Sequence, residues 1–445
     1  MTADALVAAT PASRDRYVDA LRVFALAGVI MGHYLMAVVV WAPGQPVSFT
    51  NILELEPWTR WATLVLQVMP LFFAVGGFSH AVAWRSLARR GGGYADFVAA
   101  RVGRLVRPAL VYVGVWMAAG LLIGKLWPEQ SAPILQILGQ LLWFIGIYLI
   151  AAAFAPALLT AHDRFGIWAL AALIAAAAAV DIVRLTGIND GVKWLNFAFV
   201  WLAIHQLGFF YADGVHLKWG RRRLGVAMLA IGVAALVLLV TFGPYGVTMV
   251  SFAGEKVSNL TPPTVALLAF GVAQVGVALL LRDWATKRLQ RPRVWKTVIV
   301  AGSMAMTAFL WHFTALVAVN GLWWWLGPAT SPEGGSAAWW WSKLYLLVPY
   351  LVLVALLVLV FRRFERFATP PVAGPALWRT PVAAVGVACG VLGMIGFAVV
   401  GFRGIAEFYT VIVVGVPMTS ATSFALVLAS AVLTSLAVKR ASVAP

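Results

Sequence analysis

Charge is scarce in this chain, and acidic charge scarcer still. Of 445 residues only 11% are charged, 16 aspartates and glutamates against 33 lysines and arginines. Soluble domains carry charge at about a quarter of their positions, so this composition excludes an ordinary soluble globular protein. The single cysteine, Cys389, lies inside an apolar run; it excludes an intramolecular disulfide framework and leaves the redox compartment unread. Histidine is limited to six residues, and none has zinc-type His/Cys spacing. Neither a Gly-x-Ser-x-Gly elbow nor a Gly-Lys-Ser/Thr phosphate loop is present. No metal is therefore expected. Internal repeats of fixed period and low-complexity linkers are also missing.

What the chain has in abundance is apolar sequence: 62% hydrophobic residues, 21 Trp and a mean hydropathy of +0.90. Apolar runs of about 20 residues separated by charged or Pro/Gly-rich stretches predict membrane-spanning helices. Twelve segments qualify: 21–41, 61–84, 108–126, 134–160, 166–183, 194–212, 224–242, 262–281, 297–320, 341–361, 381–400 and 409–438. The expected fold class is all-α, a polytopic helical membrane bundle with a ten-helix core and two further C-terminal helices. Pro70, Pro156, Pro349 and Pro417 are the expected kink points.

Basic residues test this topology. Placing the N-terminus inside assigns 26 of the 33 lysines and arginines to inner loops. The net charge of +17 thus reads as the positive-inside rule rather than as a nucleic-acid surface, and both termini are expected in the cytoplasm. No apolar run precedes Arg14, so residues 1–16 read as a cytoplasmic tail without a cleaved signal. The expected organisation continues with a membrane domain over 17–368, a Pro-rich linker over 369–380 and an appended two-helix unit over 381–445. That last unit is rich in Gly, Ala and Val, which suits close helix packing. An Ala/Val/Gly-rich, Arg-over-Lys composition points to a GC-rich bacterial genome, hence to a bacterial plasma membrane.

The first apolar segment, "DALRVFALAGVIMGH" (19–33), carries ionisable side chains where each is costly. Arg22 and His33 are eleven residues apart, about three turns plus 20°, so they share a helix face. With Arg22 at the inner interface, His33 is expected near the bilayer midplane, about 16 Å away. Asp19, one turn before Arg22, can pair with it. A neutral imidazole can take a proton from a hydroxyl, the role of a general base in acyl transfer. The plainer reading is a packed histidine and a snorkelling arginine.

These residues resemble the membrane acyltransferase type 3 family. Its first-helix Arg-x10-His pattern is similar to Arg22 and His33, preceded here by "YVDALR". "MPLFFAVGGFSHA" (69–81) resembles the family's Phe-Phe-x-x-Ser-Gly-Phe segment, and "FVAARVGRLVRPALVY" (97–112) its Arg-x-x-Arg-Leu-x-x-Pro helix entry. "LLWFIGIYLI" (141–150), "SMAMTAFLWHFTALV" (303–317) and "FRRFER" (361–366) resemble three later segments. Their order over residues 14–368 carries the likeness. Gly76 replaces the family's usual Ser, the Tyr before Leu-Trp-His is missing, and the last two spans lie outside the likeness.

The resemblance implies acyl-CoA, often acetyl-CoA, as donor, and a hydroxyl of a glycan, cell-envelope component or small natural product as acceptor. His33 would be the base, with Arg22 and Asp19 beside it. Arg85, Arg101, Arg104 and Arg107 would meet the phosphates of CoA, since the guanidinium fork matches phosphate oxygens. Each is also explained as a topology anchor or lipid-headgroup contact. His312, Trp311 and Trp143 are candidate substrate-binding residues. His205 with Gln206 reads mainly as structure, Asp181 with Arg184 as a pair at a helix end, and Glu365 as a partner of Arg362 or Arg366. The tryptophan runs at 323–325 and 339–341 read as an interfacial belt. The rival function is a proton-coupled transporter or lipid-linked sugar exporter using His33 and Asp181 as a relay; the lack of a two-fold repeat weighs against it.

Overall fold

The computed structural model describes residues 7, 10, 11, 14–365, 372–374, 376–402 and 409–438. Lys439, Arg440, Arg366, Arg403 and residues 369–371 and 375 of the expected linker lie outside these. The chain begins with α1 (Arg16–Met36), β1 (Ala37–Val40) and β2 (Ser48–Asn51). There follow α2 (Met69–Ala88), α3 (Tyr94–Leu126), α4 (Pro128–Gln140), α5 (Leu142–Phe165), α6 (Ile167–Leu185) and α7 (Asn196–Ala212). Next come α8 (Arg221–Phe242), α9 (Val265–Leu289), α10 (Pro292–Gly302), α11 (Ala305–Leu326) and α12 (Ala337–Phe361). The chain closes with α13 (Arg379–Val400), β3 (Val411–Val413), β4 (Val416–Met418) and α14 (Ser420–Leu436). The fold is an all-α polytopic bundle. Among the described residues, 11 helical stretches are long and apolar enough to cross a membrane, and α14 is a shorter apolar helix.

The expected spans 134–160 and 297–320 each divide between two helices, α4–α5 and α10–α11, and two further spans shift for local reasons. The first helix runs over 16–36 rather than 21–41, because "AVVV" (37–40) forms a strand paired with Ser48–Asn51. β-Branched valines lose side-chain freedom in a helix and suit a pleated surface. The expected span 409–438 divides into the β3–β4 hairpin and α14. Pro417 sits in β4, so it kinks no helix, and Pro70 is the second residue of α2, where a missing donor costs nothing. Pro156 and Pro349 lie inside α5 and α12 as expected.

The chain divides into two compact units, one of residues 1–36, 53–82 and 154–305, the other of 37–52, 83–153 and 306–445. In the first, α8 lies along α9 through glycines: a Cβ on Gly232 would meet the Ala273 nitrogen at 2.5 Å, and one on Gly276 the Leu229 nitrogen at 2.6 Å. α2 crosses α7 more closely still, at Gly77 and Gly208. Segment 243–264 is tied down through backbone groups. The Gln67 amide donates to the Met249 carbonyl at 2.8 Å, and Asn259 donates to those of Gly246 and Thr248.

In the second unit the last two helices pack face to face. Gly386, Gly390, Gly393 and Gly396 of α13 meet Thr434, Ser430, Val427 and Ser423 of α14, each too close to admit a Cβ without a shift. Such small-residue stripes let helix backbones approach where lipid offers no competing hydrophobic drive. The pair also packs on α3 and α4. Gly120 faces the Phe402 carbonyl, and a Cβ on Gly139 would lie 2.5 Å from that of Phe397. The β1–β2 hairpin is held by Lys343, whose ammonium donates to the Ala37 carbonyl at 2.6 Å and lies over the Trp339 ring.

Candidate functional site

On α1 the polar stripe is built from one carboxylate shared by two guanidinium groups. Arg14 Nε donates to Asp19 Oδ2 at 2.6 Å, and Arg22 Nη2 donates to Asp19 Oδ1 at 3.3 Å. Hydrogen bonding by Asp19 pushes the Arg14 pKa further up. Gly302, at the end of α10, lies beside this guanidinium: a Cβ there would sit in ordinary contact, 3.5 Å from Nη2. His33 shares the Arg22 face but lies in the last turn of α1, flanked by buried Gly32 and Tyr34. At 1.5 Å per residue it is about 25 Å along the axis from Arg16. It thus stands near the end of the helix rather than at its middle, because the helix starts five residues earlier than expected.

Below this stripe lies a cluster that sequence reading missed. Asp15 Oδ2 accepts from the Tyr211 hydroxyl at 2.9 Å and from Arg282 Nη2 at 2.9 Å, while Arg282 Nη1 donates to the Tyr211 oxygen at 2.7 Å. The guanidinium also lies over the rings of Tyr17 and Tyr211, and His216 stacks on Tyr211 with 7° between planes. Burial, then Arg282 and Arg221, lower the His216 pKa, and Asp15 opposes them. Tyr17 and Tyr211 also wall an apolar cavity of about 40 Å³ between α1, α2, α7 and α9. The four polar members come from positions 15, 211, 216 and 282, a separation no local pattern records.

The α2–α7 crossing buries a second polar pair. His80 Nδ1 and His205 Nε2 lie 3.0 Å apart, one donating to the other, with the residues 1% and 0% exposed. His205 Nδ1 has no hydrogen-bond partner among the described residues. Gln206 turns the other way, its amide 3.2 Å from His162 Nδ1. So the expected His205–Gln206 pair is two separate contacts. His80 itself stood in the quoted "GGFSHA" segment; its burial, not its identity, was hidden. Asp181 is likewise absorbed into structure, accepting from the Asn196 amide, the Tyr245 hydroxyl and the Val265 nitrogen at 2.9–3.0 Å. Arg184 reaches Asp190 at 3.9 Å.

The remaining expected residues belong to the second unit. Arg101, Arg104 and Arg107 lie at successive three-residue steps on the first half of α3, Arg85 in the last turn of α2. Arg104 and Arg107 are exposed, and Arg85 and Arg101 are half-buried. The Arg101 guanidinium lies over the Phe97 ring at 5.2 Å, its Nε buried without a hydrogen-bond acceptor among the described residues. Trp311 is stacked against Phe361 at 3.7 Å with Tyr112 edge-on, and His312 is fully buried, its Nδ1 donating to the Phe309 carbonyl. Trp143 is half-buried, its ring edge-on to Phe144. Glu365 caps α11: its carboxylate accepts from the Met306 and Thr307 nitrogens and from the Thr307 hydroxyl at 2.6 Å. A carboxylate at a helix N-terminus satisfies orphan donors and complements the dipole. The tryptophan runs split: Trp324, Trp325 and Trp341 are exposed, whereas Trp339 is buried and Trp323 packs edge-on against Trp41.

Set beside known proteins, residues 15–363 match a family model described as an acyltransferase domain. No curated protein and no solved structure matches the chain.

Proposed function

The chain belongs to the acyltransferase-domain family, and from that premise we propose that this multi-pass membrane protein moves an acyl group, acetyl first among the candidates, from acyl-CoA to a hydroxyl of a glycan, cell-envelope component or small natural product. The observation that supports it best is the pairing of Arg22 with Asp19 on the helix face that also bears His33. His33 takes the acceptor hydroxyl proton as that oxygen attacks the thioester carbonyl carbon. When the carbon–sulfur bond breaks, the CoA thiolate leaves and recovers the proton from the imidazolium, so ester and free thiol form with atoms and charge balanced. Arg22, steadied by Asp19, orients the donor. Arg85, Arg101, Arg104 and Arg107 hold its phosphates on the basic, cytoplasmic side, with both termini on that side of a bacterial plasma membrane. Trp311, His312 and Trp143 shape the acceptor's surroundings.

A proton relay through Asp181 is the weaker reading, since both its oxygens are committed to hydrogen bonds within the fold. Acetyl-CoA binding and acetyl transfer by detergent-purified protein test the proposal. His33→Ala is expected to keep donor binding and lose transfer by at least the 10²–10⁴-fold of general-base catalysis. Arg104→Ala is expected to weaken donor binding. Wild-type turnover by His33→Ala would sink the catalytic role, and failure of the wild type to bind any acyl-CoA would favour the transporter.

A further inference from the structure

We infer that His162, Asp163 and Asp213 form a binding site for a divalent cation of the zinc type, joining the C-terminal ends of α5 and α7. Among the described residues, these three offer ligand atoms that all lie within 4.8 Å of one another. His162 Nε2 is 2.9 Å from Asp213 Oδ2. Tetrahedral zinc with bonds of about 2.0–2.1 Å separates its ligand atoms by about 3.3 Å, a value between those two distances.

Three further observations point to a cation here. His162 is 4% exposed and closed in by the edge-on rings of Phe209 and Phe210, so its imidazole is fixed in direction. Its other nitrogen meets the Gln206 side chain at 3.2 Å, and the Gln206 carbonyl oxygen is buried with no hydrogen-bond partner among the described residues. Rotating that amide by half a turn lets the carbonyl accept from Nδ1–H and leaves the Nε2 lone pair facing carboxylate oxygen. In the neutral imidazole so held, Nε2 turns its lone pair to the carboxylate, where a proton or a metal cation would bridge the two, and a metal-ligating histidine commonly donates its second N–H to such a carbonyl. The helix ends add to this. His162 lies in the last turn of α5 and Asp213 caps α7, so the negative ends of two helix dipoles converge where the carboxylates stand. Asp163 is exposed and Asp213 half-buried, which leaves an entry path. A mixed nitrogen–oxygen set of three suits zinc over magnesium or calcium.

The site is independent of acyl transfer, and binding of zinc itself is the readout. Tag-free, EDTA-stripped protein in detergent is titrated with ZnCl₂ by calorimetry. One equivalent is expected to bind and to raise the thermal midpoint. Asp163→Asn, at an exposed carboxylate, is expected to weaken binding at least tenfold while the size-exclusion profile stays that of the wild type, as is Gln206→Ala. Asp190→Asn, an exposed carboxylate elsewhere, leaves the isotherm unchanged. Absence of binding by the wild type, or an Asp163→Asn isotherm identical to it, would overturn the assignment in favour of a histidine–aspartate ion pair.

Discussion

Replacing Gly77 by alanine adds one methyl group to the α2–α7 crossing. That methyl would arrive 1.8 Å from the His205 carbonyl oxygen, whereas Cβ contacts below 3.0 Å are essentially never seen. The oxygen belongs to helix backbone and cannot swing aside, so the two helices must part by about 1.2 Å, the difference between those distances. Parting stretches the His80–His205 contact from 3.0 Å to beyond hydrogen-bond reach and loosens the Phe73–Trp201 stack at 4.3 Å. Overpacking costs about 1–3 kcal/mol, and stranding a buried polar pair adds about 1–3 kcal/mol. Together these approach the lower end of the 5–15 kcal/mol that holds a native domain together. Thermal unfolding in detergent, followed by size-exclusion profile, is expected to show a sharply lowered midpoint or no folded peak. Gly114→Ala is the control, since a Cβ there meets nothing within 4 Å. Equal midpoints for Gly77→Ala and the wild type would refute the crossing geometry.

Glu365→Ala removes three hydrogen bonds from the start of α11 and is expected to cost about 1–3 kcal/mol; Thr307→Val, which removes one, should cost less on the same denaturation curve. Glu255 has its pKa pushed up to about 7, chiefly by burial, with Ser258, the Phe252 backbone and Arg60 opposing. The fold therefore favours the protonated acid: stability is full below the ordinary carboxyl pKa of 4.5 and declines as pH rises through 7. Midpoints measured at pH 5 and pH 8 should differ more in the wild type than in Glu255→Gln, and equal differences would count against the buried acid.

The helices were legible in the sequence because apolar runs of spanning length have few other fates, and the Asp19–Arg22 pair because one turn of helix fixes it. What a span ends in was harder to read. Val38, Val39 and Val40 satisfy hydropathy as well in a helix as in the strand they form, and only the partner strand at 48–51 decides. Side-chain partners were less legible still. His205 was recognised as polar inside a span, but its partner His80 comes from 125 residues away. For Glu365 only arginine partners were expected, and the helix start it caps lies 58 residues earlier; unpaired backbone donors attract a carboxylate as a cation does. The carboxylate of Asp15, held by Tyr211 and Arg282, was likewise invisible to any local pattern.

The glycine contacts between the C-terminal helices and α3 and α4 also impose an order on biosynthesis. Gly139 is covered by Phe397, which leaves the ribosome 258 residues later. At about 5–20 residues per second the wait is roughly 10–50 s. During that interval α3 and α4 are already in the bilayer with this face uncovered, and lipid or an insertion chaperone must occupy the place of α13. A chain truncated before residue 379 would leave that temporary tenant in possession.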